Sequence, residues 1–178
     1  MSNILALDLS TKASGWSTKV NGELESGVIT NSSTIIEKRI AYMRDQVLDL
    51  IKKYDIDTIV VEEVHAEYTH NSQVNQKLNW LQGCIRVAIW EYNSKIKIIT
   101  ILPNSWRAKI GIHTGRGITR DILKQKDIEY VQQKYGFTCG DDQADSIGIL
   151  DSYLLGANDI IVPKKTKLPP IGSDESAF

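Results

Sequence analysis

The sequence predicts a mixed α/β domain: a five-stranded sheet, three strands antiparallel and then parallel ones, with helices on both faces. Three observations lead there. The first thirty residues carry three strand-like runs around an Asn21-Gly22 hairpin signal. Two long segments of helical periodicity follow, and each precedes or succeeds a short apolar run that reads as a buried strand. The chain then closes on helical segments with no further strand pattern.

Residues 3–9 (NILALDL) are strongly apolar, while 14–20 and 23–30 are mixed and contain Gly15, Gly22 and Gly27. Asn21 and Gly22 suit a type I′ turn, because both central residues of that turn need positive φ. Thr34-Ile35-Ile36-Glu37 has capping-box spacing. Beyond it Ile36, Ile40, Met43, Val47 and Ile51 recur every three or four residues, which predicts a first long helix. Lys52 and Lys53 sit favourably at its negative end.

Residues 57–63 (DTIVVEE) read as a short buried strand. A second long helix is expected from Ser72 to Tyr92, with Val74, Leu78, Leu81, Ile85, Ala88, Ile89 and Tyr92 on one face. Trp80 and Trp90 lie off that stripe, as residues covering a partner subunit or an edge of the same core would. The run 96–102 (IKIITIL) is the last strand. Pro103-Asn104 opens a short helical segment with Trp106 and Arg107, followed by the loop GIHTGRG. Helices at about 119–135 and 142–155 complete a domain expected over 1–160. Residues 161–178, with PKKTK and GSDES, read as a disordered tail.

A chain of 178 residues with 42% hydrophobic and 24% charged residues suits one soluble domain with a real core. No apolar run approaches the roughly 18–20 residues that cross a bilayer, and MSNILALDLS lacks the pattern of a secretory signal. Cys84 and Cys139 have no metal-knuckle spacing and read as reduced thiols, which makes a cytoplasmic location the expectation. A net charge of −1 argues against a generally basic nucleic-acid coat. Between Pro103 and Gly136, however, seven Lys/Arg stand against three acids. A basic stretch beside an acidic pocket suits a polyanion brought to metal ions; a solvated helix face is the plainer reading.

The acids are the most informative residues. Asp8, Glu62, Asp142 and Asp145 lie at or near the ends of apolar runs, where a bare carboxylate is costly unless paired or neutralised. Asp8 and Glu62 fall near the ends of strands expected to be parallel neighbours, where ligands gather in such sheets. Asp142 and Asp145, three apart on a helix, project from one face. Acids in a first turn also simply stabilise a helix, which would explain that pair but not Asp8 and Glu62. All-carboxylate ligation favours Mg²⁺ or Mn²⁺ over zinc. Four carboxylates can hold two such ions about 4 Å apart for in-line phosphodiester displacement. His65, His70 and His113 have no zinc spacing. Glu63 beside Glu62, and Asp141 beside Asp142, leave the choice of acid open at this level.

With these residues placed, the chain resembles the RuvC-type Holliday-junction resolvases of the RNase H-like superfamily over about residues 3–155, most in outline the shorter phage-type members. The first acid of that family ends strand one in a D-x-S/G-x-x-x-x-G-like stretch, here Asp8-Leu9-Ser10 through Gly15. The second closes the fourth strand as E-x-V, here Glu62-Glu63-Val64, and the last two form D-x-x-D, here Asp142 to Asp145. The resemblance therefore implies an RNase H-like fold and selects Glu62 over Glu63 and Asp142 over Asp141, leaving Asp141 as a helix cap. It implies catalysis and metal ligation by Asp8, Glu62, Asp142 and Asp145, with two Mg²⁺ per site replaceable by Mn²⁺. It implies a homodimer that nicks branched DNA, four-way junctions above all, in a bacterial cell or phage-infected host, with no membrane role. Family members place a base-contacting aromatic after the second acid; here that position is His65, with Tyr68 nearby. By position, Arg107 and Lys126 are expected at DNA phosphates, supported by Lys12, Lys109, Arg116, Arg120 and Lys124. Three other readings share some of these features. A nuclease of RNA–DNA hybrids or structured RNA would use the same acids. An actin-like ATPase would match ALDLSTKASGWS but needs a second comparable domain. A junction-binding scaffold has no use for four crowded carboxylates.

Overall fold

In the computed structural model, which describes residues 2–64 and 72–156, the first thirty residues fold as the meander their turn signals dictate. Strands β1 (Ile4–Asp8), β2 (Ala13–Val20) and β3 (Glu23–Thr30) pair antiparallel in sequence. Asn21 and Gly22 take φ of 53° and 89°, the two positive values that a type I′ hairpin requires. Helix α1 (Ile36–Tyr54) then returns the chain to β4 (Thr58–Glu62), and α2 (Ser72–Tyr92) to β5 (Lys97–Ile101). β4 lies parallel to β1 and β5 parallel to β4, so the sheet order is β3-β2-β1-β4-β5. Helices α3 (Pro103–Lys109), α4 (Arg120–Tyr135) and α5 (Asp141–Leu154) follow.

The two-residue period of the strands divides the core. Leu5, Leu7, Ile59 and Val61 face α1 and α2, where Met43, Val47, Ile51, Leu81, Ile85 and Ile89 meet them. Ile4, Ala6 and Val60 face the other way, against Trp106 of α3 and Ile149 and Leu150 of α5. Asp8 and Glu62 continue the second set by that same alternation, whereas Glu63 does not. The pleat thus selects Glu62 for the α5 side and leaves Glu63 exposed. Helix α5 is tied to α4 through buried Asp151, which accepts hydrogen bonds from Tyr130 (3.0 Å) and Tyr135 (2.7 Å).

Three local expectations are corrected. The capping box at Thr34–Glu37 does not form: Ile35 is the N-cap and makes no side-chain cap bond. Ser33 instead accepts the Ile35 N–H, a local side-chain bond that competes with the box. Asp141 is not the cap of α5; Gly140 holds that position, and Asp141 pairs with Lys124. On α2 the apolar stripe frays at both ends, where Val74 and Tyr92 are exposed. Among the described residues no helix is long and apolar enough to cross a membrane. His65, Tyr68 and His70, and the tail expected from 161, lie outside the described residues.

Candidate active site

Asp8 and Glu62 end adjacent parallel strands: Leu7 pairs with Val61, so the next residue of each strand is one of the two acids. On the other side of β1, Asp8 faces Gly15 across the antiparallel ladder. A Cβ added at Gly15 would stand 1.7 Å from the backbone oxygen of Asp142. Backbone cannot yield there, so only glycine lets the first turn of α5 sit on the sheet beside Asp8. That close approach is what the glycine of the Asp8–Gly15 stretch accomplishes. It brings Asp142 and Asp145 to the strand ends.

The acids perturb one another as this assembly requires. Burial, then the charges of Glu62 and Asp142, push the Asp8 carboxyl up to about 8, against the opposing pull of Arg107 and Arg120. Burial raises Glu62, although the Trp106 N–H and Arg107 partly counter it. Asp142 is raised by burial and by its neighbour Asp141. Asp145 is pushed up to about 10 by burial and by Asp8 and Asp127, with Arg107 opposing. Four carboxyls that disfavour their charged forms together call for a cation.

Part of that cation is built in. Arg107 is only 8% exposed, donates from Nε to Asp127 Oδ2 (3.0 Å) and from Nη2 to Asp145 Oδ2 (3.2 Å), and pairs by charge with Asp127 Oδ2 at 2.9 Å. Asp127, on α4, is itself buried. Arg107, expected at a DNA phosphate, lies buried with its guanidinium paired to Asp127 and to the partly buried Asp145. Lys124 is likewise engaged with Asp141. Lys12, Lys109, Arg116 and Arg120 are exposed and Lys126 is half-buried. Arg120, at the start of α4, lowers Asp8, Glu62 and Asp142 electrostatically, so this exposed cation overlooks the acids.

The donor set fits a hard divalent cation. It offers only oxygen ligands. Asp145 Oδ1 is buried with no hydrogen-bond partner, an orphaned carboxyl oxygen that a cation would satisfy. Among the described residues, no three acidic, imidazole or thiol side chains already stand as a finished metal cage. Sequence reading missed two contributors. Trp106 donates from its indole to Glu62 Oε2 at 2.6 Å, and Asp127 anchors Arg107. A Trp three residues past Pro103 signals a buried helix face, but nothing in the sequence assigns its N–H a carboxylate. Asp127 sits within a basic stretch and reads there as a surface charge.

Comparison with known proteins gives one answer. The family model described as "Crossover junction endodeoxyribonuclease RuvC" matches residues 11–115, a span that includes Glu62 and Arg107 and excludes Asp8, Asp142 and Asp145. The RuvC crossover junction endodeoxyribonuclease of Dictyoglomus thermophilum is 28% identical over 141 residues, 74% of this chain and 79% of the relative. That of Rickettsia africae is 26% identical over 161 residues, 87% of this chain and 98% of the relative. Among solved structures, Thermus thermophilus RuvC in complex with a Holliday junction substrate superposes with a TM-score of 0.69 at 14% identity, covering 87% of this chain and 94% of that one. The yeast mitochondrial Holliday junction resolvase Ydc2 superposes with a TM-score of 0.56 at 13% identity, covering 86% and 78%. These last two establish likeness of fold.

Proposed function

The chain belongs to the RuvC family of crossover junction endodeoxyribonucleases, and from that membership we propose that it resolves four-way DNA junctions at a divalent-metal site built from Asp8, Glu62, Asp142 and Asp145. The observation that carries the site is the approach of α5 over Gly15, which delivers two helix acids to two strand-end acids. Mg²⁺, two ions per site and replaceable by Mn²⁺, would activate the attacking water and neutralise the leaving oxygen. Asp8, Glu62, Asp142 and Asp145 would hold the ions. Arg107 keeps Asp145 oriented from below, and exposed Arg120 offers a positive charge to the scissile phosphate from above. Lys12, Lys109, Arg116 and Lys126 supply further phosphate contacts, which position the duplex arms without reading sequence. His65 and Tyr68 keep the proposed role of touching bases at the crossover. The setting we propose is the cytoplasm of a bacterial cell or a phage-infected host.

The decisive measurement is parallel cleavage of a four-way junction, a flap, a linear duplex and an RNA–DNA hybrid, each with Mg²⁺ or EDTA. Paired nicks confined to the junction and dependent on the metal are expected. Equal cutting of hybrid and junction would remove the junction assignment while sparing the nuclease one.

Two coordinated nicks need two sites, and we propose a homodimer with α2 in its interface. Trp80, Val87 and Trp90 are 50%, 58% and 69% exposed and fall along one line of that helix, with Gly83 leaving open space between them. Large apolar groups so presented mark protein contact surfaces. Replacing Trp80 and Trp90 together by Lys is expected to weaken dimerisation by about 10⁵-fold or more, since two-fold symmetry removes four interface tryptophans that count for about 2 kcal/mol or more each. Sedimentation velocity reads the shift, and circular dichroism checks that the fold survives. A monomeric parent protein, or a variant that stays dimeric, would sink this interface.

A further inference from the structure

Trp106 is fully buried, yet it carries a polar N–H that must find a partner. Its ring fills the space between the sheet residues Ile4, Ala6, Val60 and Ile101 and helix α5. It fits there because residue 148 is glycine: a Cβ at Gly148 would stand 2.4 Å from the ring atom Cζ3. A hollow shaped by a missing side chain on α5 thus fixes the ring, and the fixed ring aims its Nε1 at Glu62 Oε2, 2.6 Å away. The backbone carbonyl of Glu62 is held separately, by Gln82 Nε2 of α2 at 3.0 Å. Strand end and side chain are therefore anchored from opposite faces of the sheet.

The next residue along α3 does the corresponding thing to a different acid. Arg107 reaches Asp145 on α5, while Trp106 reaches Glu62 on β4. One short helix so touches two of the four acids, with the guanidinium stacked 4.1 Å from the centre of the Trp106 ring. A purely structural tryptophan would be served equally well by a backbone carbonyl, and it would leave Glu62 to turn about its side-chain bonds. A donor on one carboxylate oxygen fixes the plane of the group and leaves the second oxygen for a cation. Partners of this kind around metal ligands typically govern metal affinity by 10- to 100-fold.

We infer that Trp106 is a positioning residue for the reaction, its indole N–H holding Glu62 in the orientation that receives a divalent cation. This rests on the proposed role of Glu62 as a metal ligand, and the test separates the two. The four tryptophans give four indole N–H resonances in ¹⁵N-labelled full-length protein, and Trp106→Phe identifies that of Trp106 by its loss. That proton is expected downfield of the other three and slow to exchange. It should move upfield in Glu62→Gln and shift on titration with Mg²⁺. In single-turnover cleavage, Trp106→Phe is expected to raise the half-saturating Mg²⁺ concentration by about tenfold, while junction binding in EDTA stays within about twofold. Should the smaller ring fail to support the fold, benzothienylalanine at position 106 keeps the shape and lacks only the N–H. An indole signal indifferent to Glu62→Gln, or a metal dependence unchanged without the N–H, overturns the inference. If Glu62→Gln abolishes cleavage while the Trp106 variants match the parent, only the positioning role fails. If Glu62→Gln itself keeps the parent's metal dependence, the metal-site assignment falls and this inference with it.

Discussion

Asp8→Asn is expected to lower junction cleavage by about three orders of magnitude or more and to leave junction binding within about twofold, as loss of several kcal/mol of transition-state charge stabilisation implies. The amide matches the carboxylate in shape, so the approach of α5 over Gly15 is undisturbed. It brings no negative charge, and charge is what this position supplies. Asp8 lies at the centre of the repulsion: Glu62 and Asp142 raise it, and it in turn raises Asp145. Removing its charge should therefore relax the other acids and stabilise the metal-free fold, even as activity is lost. Single-turnover cleavage, gel-shift binding in EDTA and a melting curve read the three effects separately. Binding and folding lost together would make the residue structural. Near-parental cleavage would exclude it from the site.

Much of this arrangement is legible in the sequence because it depends on local chemistry. The Asn21-Gly22 turn, the strand-end positions of Asp8 and Glu62, and the Asp142–Asp145 spacing follow from positive φ, the two-residue period and the helical repeat. The choice of Glu62 over Glu63 rests, in the sequence, on the family resemblance, and the pleat of β4 is its structural reason. What escapes is set by contacts between elements remote in the chain. Arg107 reads as a surface cation, since nothing local reveals that Asp127, twenty residues on, and Asp145 will enclose it. Gly15 reads as a weak strand residue until Asp142 is placed above it. The role of Gly148 emerges only once Trp106 occupies the hollow beside it. The capping box fails for the opposite reason, that Ser33 offers the backbone a competing bond one residue earlier than the box would. The chemistry of the acids is thus a sequence property, and the devices that aim them are tertiary.

In the absence of divalent metal, the protein is expected to lose stability as pH rises from about 5 to about 8, the reverse of ordinary acid denaturation. Asp8, with a reference value of 3.8, is raised to about 8, and Asp145 to about 10. Between the reference and raised values the folded chain keeps protons that the unfolded chain has released. The folded state therefore binds more protons, and its stability falls with rising pH through that window. Each such group contributes at most about 1.4 kcal/mol per pH unit, and solvent reaching the partly open Asp8 reduces its share. Glu62 and Asp142, raised in the same direction, add to the fall. Asp57 and Asp141 are lowered instead, so their stabilisation is lost only as pH falls below the reference value of 3.8, outside the window. A divalent cation that binds the deprotonated acids of the folded state alone should remove most of the slope. Urea unfolding in EDTA and in millimolar Mg²⁺, at about pH 5.5 and about pH 8, measures both effects, and Asp8→Asn should flatten the EDTA series. Stability that is level or rising with pH in EDTA would show that the acids are not strained as a group. Equal protection by Mg²⁺ in Asp8→Asn and Asp145→Asn would place the ion elsewhere.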